Sequence, residues 1–172
     1  ELKAMVSIES SGRATETTGS YHGLLQLSKA EFAKYGHGDI NNPEDNLRAG
    51  VAAIQDKGRK FEEEFGRKPN PTELYLMHQQ GEAGRRANEE NPQGLAWKNM
   101  RPTGEGKQKG EHWAKLAVWG NVPSDMRHPF PGGVDHMTSA QFIAVWQHKL
   151  EGVPYEEALA KATSGTKLAE NE

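Results

Sequence analysis

Leu2, Met5 and Val6 recur at helical spacing, and the same spacing carries Glu9 onto or beside their apolar face before Gly12 ends the helix. Ser28-Lys29-Ala30-Glu31 has the form of a capping box, a hydroxyl at the N-cap and an acid three residues later. It predicts a short helix bearing Phe32 and Tyr35 that stops at Gly36. Asn42-Pro43 supplies an N-cap and a first-turn proline for a longer helix over 43–65, with Leu47, Val51, Ile54, Gly58 and Phe61 along it and Gly66 closing it. Asn70-Pro71-Thr72-Glu73 repeats the cap and opens the stretch LYLMHQQ, which ends at Gly81.

Residues 82–106 are rich in Gly, Asn, Glu and Pro and predict a short helix among loops. GEHWAKLAVW, near 110–119, reads as a helix with Trp113, Leu116 and Ala117 on one side, and 120–137 reads as a proline- and glycine-rich loop. Thr138-Ser139-Ala140-Gln141 caps an amphipathic helix carrying Phe142, Ile143, Val145, Trp146 and Leu150. PYEEALAKA gives a last short helix, followed by a polar tail, 164–172, with the composition of a disordered segment. Strand signals are nearly absent, and no internal repeat is visible. The expectation is an all-α chain with one domain over 1–163.

Composition narrows the chemistry. At 172 residues the chain can bury one real core. A third of the residues are apolar and mean hydropathy is −0.85, which suits well-solvated loops. The formal net charge is −3 with no basic run, so no nucleic-acid or membrane-surface partner is expected. No apolar run approaches the roughly 20 residues that cross a bilayer. Cysteine is absent, which excludes disulfides, thiolate metal sites and thiol nucleophiles. The chain opens on ELKAMVSIE with no signal peptide visible, and this start within a helix suggests an excised domain or a processed product.

Glu9 is the first candidate site. The helix dipole disfavours an acid at a C-terminal end, and taken alone Glu9 reads as a solvated acid that tolerates this cost. Its neighbours favour function: Ser10, Ser11 and Gly12 leave room for a ligand. An apolar neighbourhood desolvates a carboxyl and keeps it protonated, as a general acid at neutral pH requires. The seven histidines, His22, His37, His78, His112, His128, His136 and His148, show no ligand spacing, so neither a metal nor a cofactor is expected. His78, just before Gln79-Gln80-Gly81, faces either a cleft or the core. Trp97, Trp113, Trp119 and Trp146 suit a sugar groove, although most, Trp146 above all, are more simply core. Gly19, Gly23 and Gly36 form no phosphate-cradling motif.

Four blocks in order, Glu9-Ser10, Gly23-Leu24-Leu25-Gln26, Asn46-Leu47-Arg48-Ala49-Gly50 and His78-Gln79-Gln80-Gly81, resemble the lytic transglycosylases of the goose-type-lysozyme-like fold. That family carries Glu-Ser at a helix end, then Gly-Leu-Met-Gln, then an Asn-hydrophobic-x-x-Gly helix, then Ala-Tyr-Asn-Ala-Gly. The aromatic helix near Thr138 to Trp146 resembles, more weakly, what phage- and proteobacterial-type members append. The sequence departs from the pattern at Ser20-Tyr21, where Gly-Ala is usual, and at Ser28, where Met-Pro or similar is common. It departs again at His78 and Gln79, in place of tyrosine and asparagine.

The resemblance implies a single lysozyme-like helical domain with a substrate cleft, acting on the glycan strands of peptidoglycan. Glu9 would be the one catalytic acid and base. Gln26 and the backbone around Leu25 would line the subsite for N-acetylmuramic acid, with Ser10 and Gly23 beside them. Asn46 would lie near the cleft floor, and His78 with Gln79 would orient the glutamate and the substrate N-acetyl group. A wall substrate implies a periplasmic, extracellular or virion-associated protein, delivered as part of a larger virion or secretion protein or by a signal peptide outside this sequence.

One carboxylate fits a lyase, because hydrolytic glycosidases need two at a separation set by stereochemistry. Among other acids, Glu31 reads as a capping residue and Glu44 and Asp45 as first-turn acids, whereas Glu16 and Asp39 stay open as a second carboxylate. A hydrolytic lysozyme or chitinase on the same fold is therefore the near alternative. A non-catalytic glycan-binding or structural module is the more distant one.

Overall fold

Side chains that cap helix starts set where most of the helices begin. The computed structural model describes residues 2–10, 12–13, 16–18, 21–104 and 106–164; Ser11, Ser20 and the expected tail from 165 onward lie outside the described residues. The described chain is all-α in character, with eight α-helices and three two-residue strands. Its contacts group it into two compact units, Glu1–Lys68 and Pro69–Glu172.

In the first unit, α1 (Leu2–Ser10) leads into β1 (Thr17–Thr18), β2 (Tyr21–His22) and β3 (Leu27–Ser28). The three strands form one antiparallel sheet in the order β1-β2-β3, with Thr17 opposite His22 and Tyr21 opposite Ser28. Strands of two residues are too short to show an alternating pattern, which is why 10–22 reads from sequence as a plain polar span. α2 (Lys29–Tyr35) starts at Ser28, whose side chain accepts from the Glu31 backbone N–H. The Glu31 carboxylate completes no box; it meets Ser28 Oγ and pairs with Lys57 at 3.3 Å.

α3 (Pro43–Phe65) has the expected bounds. Asn42 accepts from the N–H groups of Glu44 and Asp45, and Gly66 closes the helix in the left-handed region at φ 69°. Its buried face differs from the expected aliphatic one. Asn46, Ala49, Gly50, Ala53, Ile54 and Phe61 face inward, and Leu47 and Val51 are only half-buried. Small residues at i, i+3, i+4 and i+7 let other chain segments approach the helix backbone closely.

In the second unit, α4 (Pro71–Glu90) opens on a complete capping box between Asn70 and Glu73. It is broken at Gly81 (φ 73°, ψ 170°), a conformation open essentially only to glycine, and resumes through 82–90. α5 (Ala96–Met100) and α6 (Gly106–Trp119) pack together, and α6 is broken in the same way at Gly110. Beyond that break Ala114 and Val118 are buried while Leu116 is 57 % exposed, so the inward face of α6 is not the expected Trp113-Leu116-Ala117 side.

Two 3-10 turns, Ser124–Met126 and Gly133–His136, punctuate the long loop before α7 (Ser139–Glu151). Thr138 and Gln141 cap α7 reciprocally. The helix is buried all round from Ser139 to Gln147, where the sequence suggests an amphipathic one, because α4, α5 and α8 (Tyr155–Thr163) pack against different sides of it. Trp146 is fully buried, as expected of a core residue, with the Tyr75 ring 4.8 Å away and Phe142 edge-on at 6.0 Å. Arg85, also buried, pairs with Glu82 and Glu89 along its own helix.

Candidate functional site

Glu9 sits half-buried in the last turn of α1. Ser10 beside it is 2 % exposed, and its Oγ lies 3.0 Å from both the Val6 and Leu24 carbonyls, sharing one donated proton between them. The Val6 contact is an ordinary back-bond to the preceding turn. The Leu24 contact crosses fourteen residues and fastens the end of α1 to the Gly23-Leu24-Leu25-Gln26 segment.

That segment is a tight turn. The Gln26 N–H donates to the Gly23 carbonyl at 3.2 Å, and the Gly23 N–H donates to the Glu16 carbonyl at 2.8 Å. Gly23 has φ +79°, and a Cβ built on it would lie 2.5 Å from Asn46 Cγ, so only glycine fits against that side chain. Leu25 is fully buried over Gly50, where an added methyl would overlap its Cδ1 and come within 3.1 Å of its Cβ.

Asn46 is the clamp. Fully buried, it accepts from the Leu25 N–H at 3.3 Å through Oδ1, and through Nδ2 it donates to the carbonyls of His22 and Ile40 at 2.9 and 3.0 Å. A carboxamide engaged on three backbone groups holds the turn in place.

Gln26 carries two costs at once. It is the only residue other than glycine with positive φ (49°) among the described residues. Its Nε2 donates to the Gly23 and Glu16 carbonyls at 2.9 and 3.1 Å, while its buried Oε1 has no hydrogen-bond partner among the described residues. Left-handed backbone on a side-chain-bearing residue and an orphaned buried acceptor are both features that functional sites concentrate.

An open hollow of about 320 Å³ lies beside α1, walled by Leu2, Val6, Leu24 and Leu47 with Lys3, Ser7 and Gly12 at its edge. Glu9 is not on its wall but follows Leu2 and Val6 at i+7 and i+3, on the adjoining stripe of the helix.

The acids next weighed beside Glu9, namely Glu16, Glu44, Asp45 and Asp39, each have a contact of their own. Glu16 pairs with Arg13 at 2.7 Å, Glu44 pairs with Arg48, and Asp45 accepts from the Asp39 N–H at 3.1 Å. Asp39 Oδ1 in turn accepts from the Asn41 N–H at 2.9 Å, a local turn contact.

Six of the expected site residues, Glu9, Ser10, Gly23, Leu25, Gln26 and Asn46, are thus gathered in the first unit. His78 and Gln79 belong to α4 in the second, where His78 is 9 % exposed and Gln79 Nε2 donates to the Tyr75 hydroxyl at 3.0 Å. Sequence reasoning quoted Gly50 in the Asn46 block without giving it a role in the site, and it passed over the backbone of Glu16. The role of Gly50 was findable, since it lies one helical turn after Asn46 on the same face. The Glu16 contact was not, because a backbone carbonyl leaves no mark on residue type.

Among the described residues no three His, Asp or Glu side chains converge as metal ligands, and no helix is long and apolar enough to cross a membrane. No protein-family model, curated protein or solved structure matches this chain.

Proposed function

We propose that the chain is a peptidoglycan-cleaving lytic transglycosylase on a lysozyme-like fold, breaking the β-1,4 bond between N-acetylmuramic acid and N-acetylglucosamine with Glu9 as its single acid and base. One observation carries this reading: the end of α1 bearing Glu9 is hydrogen-bonded through Ser10 to the Gly23–Gln26 turn, and Asn46 clamps that turn from α3. Three blocks separated along the chain meet by specific bonds, which a chance scatter of motif-like residues has no reason to do. The strained Gln26, with its orphaned acceptor, sits where the resemblance expects a substrate-binding residue.

In this mechanism protonated Glu9 gives its proton to the glycosidic oxygen as the C1–O bond of the muramic acid breaks. The substrate's own 2-acetamido group stabilises the oxocarbenium-like centre. The carboxylate left on Glu9 then takes the proton of the C6 hydroxyl, whose oxygen bonds to C1 and closes a 1,6-anhydro ring without consuming water. Asn46 and Gly50 act by fixing the turn, and Gln26 by facing the sugar. A wall substrate makes the site of action the periplasm, the cell exterior or a virion.

Glu9→Gln tests the assignment. Clearing of a cell-wall suspension should slow by about a hundredfold or more, the usual contribution of a positioned acid. Equal clearing by the variant refutes it. The second reading, a hydrolase, draws support from Glu16, whose backbone carbonyl is bonded to both Gly23 and Gln26, so that a second acidic residue is tethered to the same turn. Mass spectrometry of released muropeptides separates the two. Anhydro ends are lighter than reducing ends by one water, about 18 mass units, because hydrolysis adds water and the lyase does not.

A further inference from the structure

The hollow beside α1 has no part in the proposed bond breaking, yet its walls come from the three elements that build the site: α1, the Gly23–Gln26 turn and α3. Leu2, Val6, Leu24 and Leu47 make it apolar, and Gly12 carries its edge past the end of α1 that bears Glu9. Ser10 closes the seam between two of those walls, because its Oγ donates to the carbonyl of Leu24. The volume, about 320 Å³, matches the smaller pockets that bind small ligands, and so does an apolar lining with few polar groups. Its one charged residue is Lys3, which is exposed and pairs with no carboxylate among the described residues. By contrast Arg13 and Arg48, also in this unit, are held by Glu16 and Glu44. An apolar trough with an unspent cation at one end suits a ligand that is mostly apolar and carries negative charge.

We propose that this hollow receives the peptide stem of a wall strand whose muramic acid lies at Glu9. The inference rests on the lytic-transglycosylase reading for the identity of that strand. Stems leave the muramic acid through its lactyl group and combine alanine methyls with free carboxylates. The methyls meet the leucine and valine walls, and a carboxylate meets Lys3. The lengths agree. Lys3 precedes Glu9 by six residues on one helix, which is about 9 Å along its axis. Three extended residues span about 10 Å, so a stem that starts at the sugar brings an acidic residue to Lys3 within that reach. A second copy of this chain fits less well. Two-fold pairing of hollow on hollow would bring two Lys3 side chains together, with no acid in the lining to receive either. The hollow thus favours strands that carry stems over bare glycan and takes no part in bond breaking.

The test is isothermal titration calorimetry on Glu9→Gln protein, so that the ligand is not consumed. It compares a soluble wall oligomer carrying its stems with the same oligomer after an amidase has cut them off. The stemmed oligomer should bind about tenfold more tightly. Adding Lys3→Glu should weaken its binding about fivefold, and more at low salt, whereas Lys3→Arg should keep it. Adding Leu2→Gln should weaken it by a similar factor through loss of apolar contact. Leu2 is 39 % exposed and Lys3 is exposed, so far-UV circular dichroism should be native in these variants. None of the three should alter binding of the stripped oligomer or, in the otherwise native enzyme, its turnover. Equal affinity for the two oligomers overturns the stem site, and cleavage of both would leave the proposed catalysis standing. Equal loss on both oligomers in Lys3→Glu protein also overturns it. So does a dimer that Leu2→Gln dissociates, because a second copy would then cover the hollow. A stem-dependent affinity lost in Lys3→Glu and Leu2→Gln, with neither oligomer cleaved by the native chain, supports the stem site and removes the proposed catalysis.

Discussion

Replacing Asn46 by alanine should unfasten the turn that joins the end of α1 to α3. The Leu25 N–H would be left buried without a partner, at a cost of about 1–3 kcal/mol. The His22 and Ile40 carbonyls are half-buried and would recover some water, so each adds about 1 kcal/mol. The total, about 4 kcal/mol, is a large share of the roughly 5–15 kcal/mol that holds a domain of this size together. Asn46→Asp should be no better. It keeps an acceptor for Leu25 but turns the donor that serves two carbonyls into a charged oxygen. Urea unfolding followed by far-UV circular dichroism gives the stability change. All four tryptophans lie beyond residue 68, so their fluorescence reports directly on the second unit only. Amide exchange at Leu25 gives the local readout and should speed up in both variants. A loss below about 1 kcal/mol with native protection at Leu25 would refute the clamp.

Gly50→Ala sets a helix-propensity gain of about 1 kcal/mol against overlap with the fully buried Leu25 side chain. Thermal unfolding should show a net loss of about 1–2 kcal/mol, and that loss should shrink when Leu25→Val is added. Asp56 accepts a hydrogen bond from the Tyr35 hydroxyl at 2.6 Å, and this bond, followed by Lys60, lowers its pKa to about 2. Because the folded value lies below the unfolded one, near 3.9, the contribution of this carboxylate is complete above about pH 4 and is lost as pH falls through about 2. In Tyr35→Phe protein, the Asp56 carboxyl carbon followed by NMR should titrate at higher pH than in the native chain. Coincident curves would show that the tyrosine bond is not the main cause.

The sequence itself determined where the helices start and stop, because those signals are local. A Ser, Asn or Thr side chain can satisfy an N–H only two or three residues ahead of it, so Ser28, Asn42, Asn70 and Thr138 could be placed without knowing what they pack against. Left-handed closure at Gly66 and Gly152 is local in the same sense. The blocks around Glu9, Gly23 and Asn46 were visible too, as residue types in an order.

What those residues do to one another was decided by tertiary structure. Asn46 reads from sequence as a cleft residue; only the approach of Leu25, His22 and Ile40, six to twenty-four positions away, makes it a clamp. Leu116 looks like core on a helical wheel, yet a helix buries whichever face its neighbours cover, and α6 is covered on its alanine-valine side. α7 was buried all round because three helices surround it, a property of its neighbours and not of its own period. Periodicity records what a segment can bury, whereas which side it buries, and which polar groups then lack water, depends on contacts that sequence spacing does not encode.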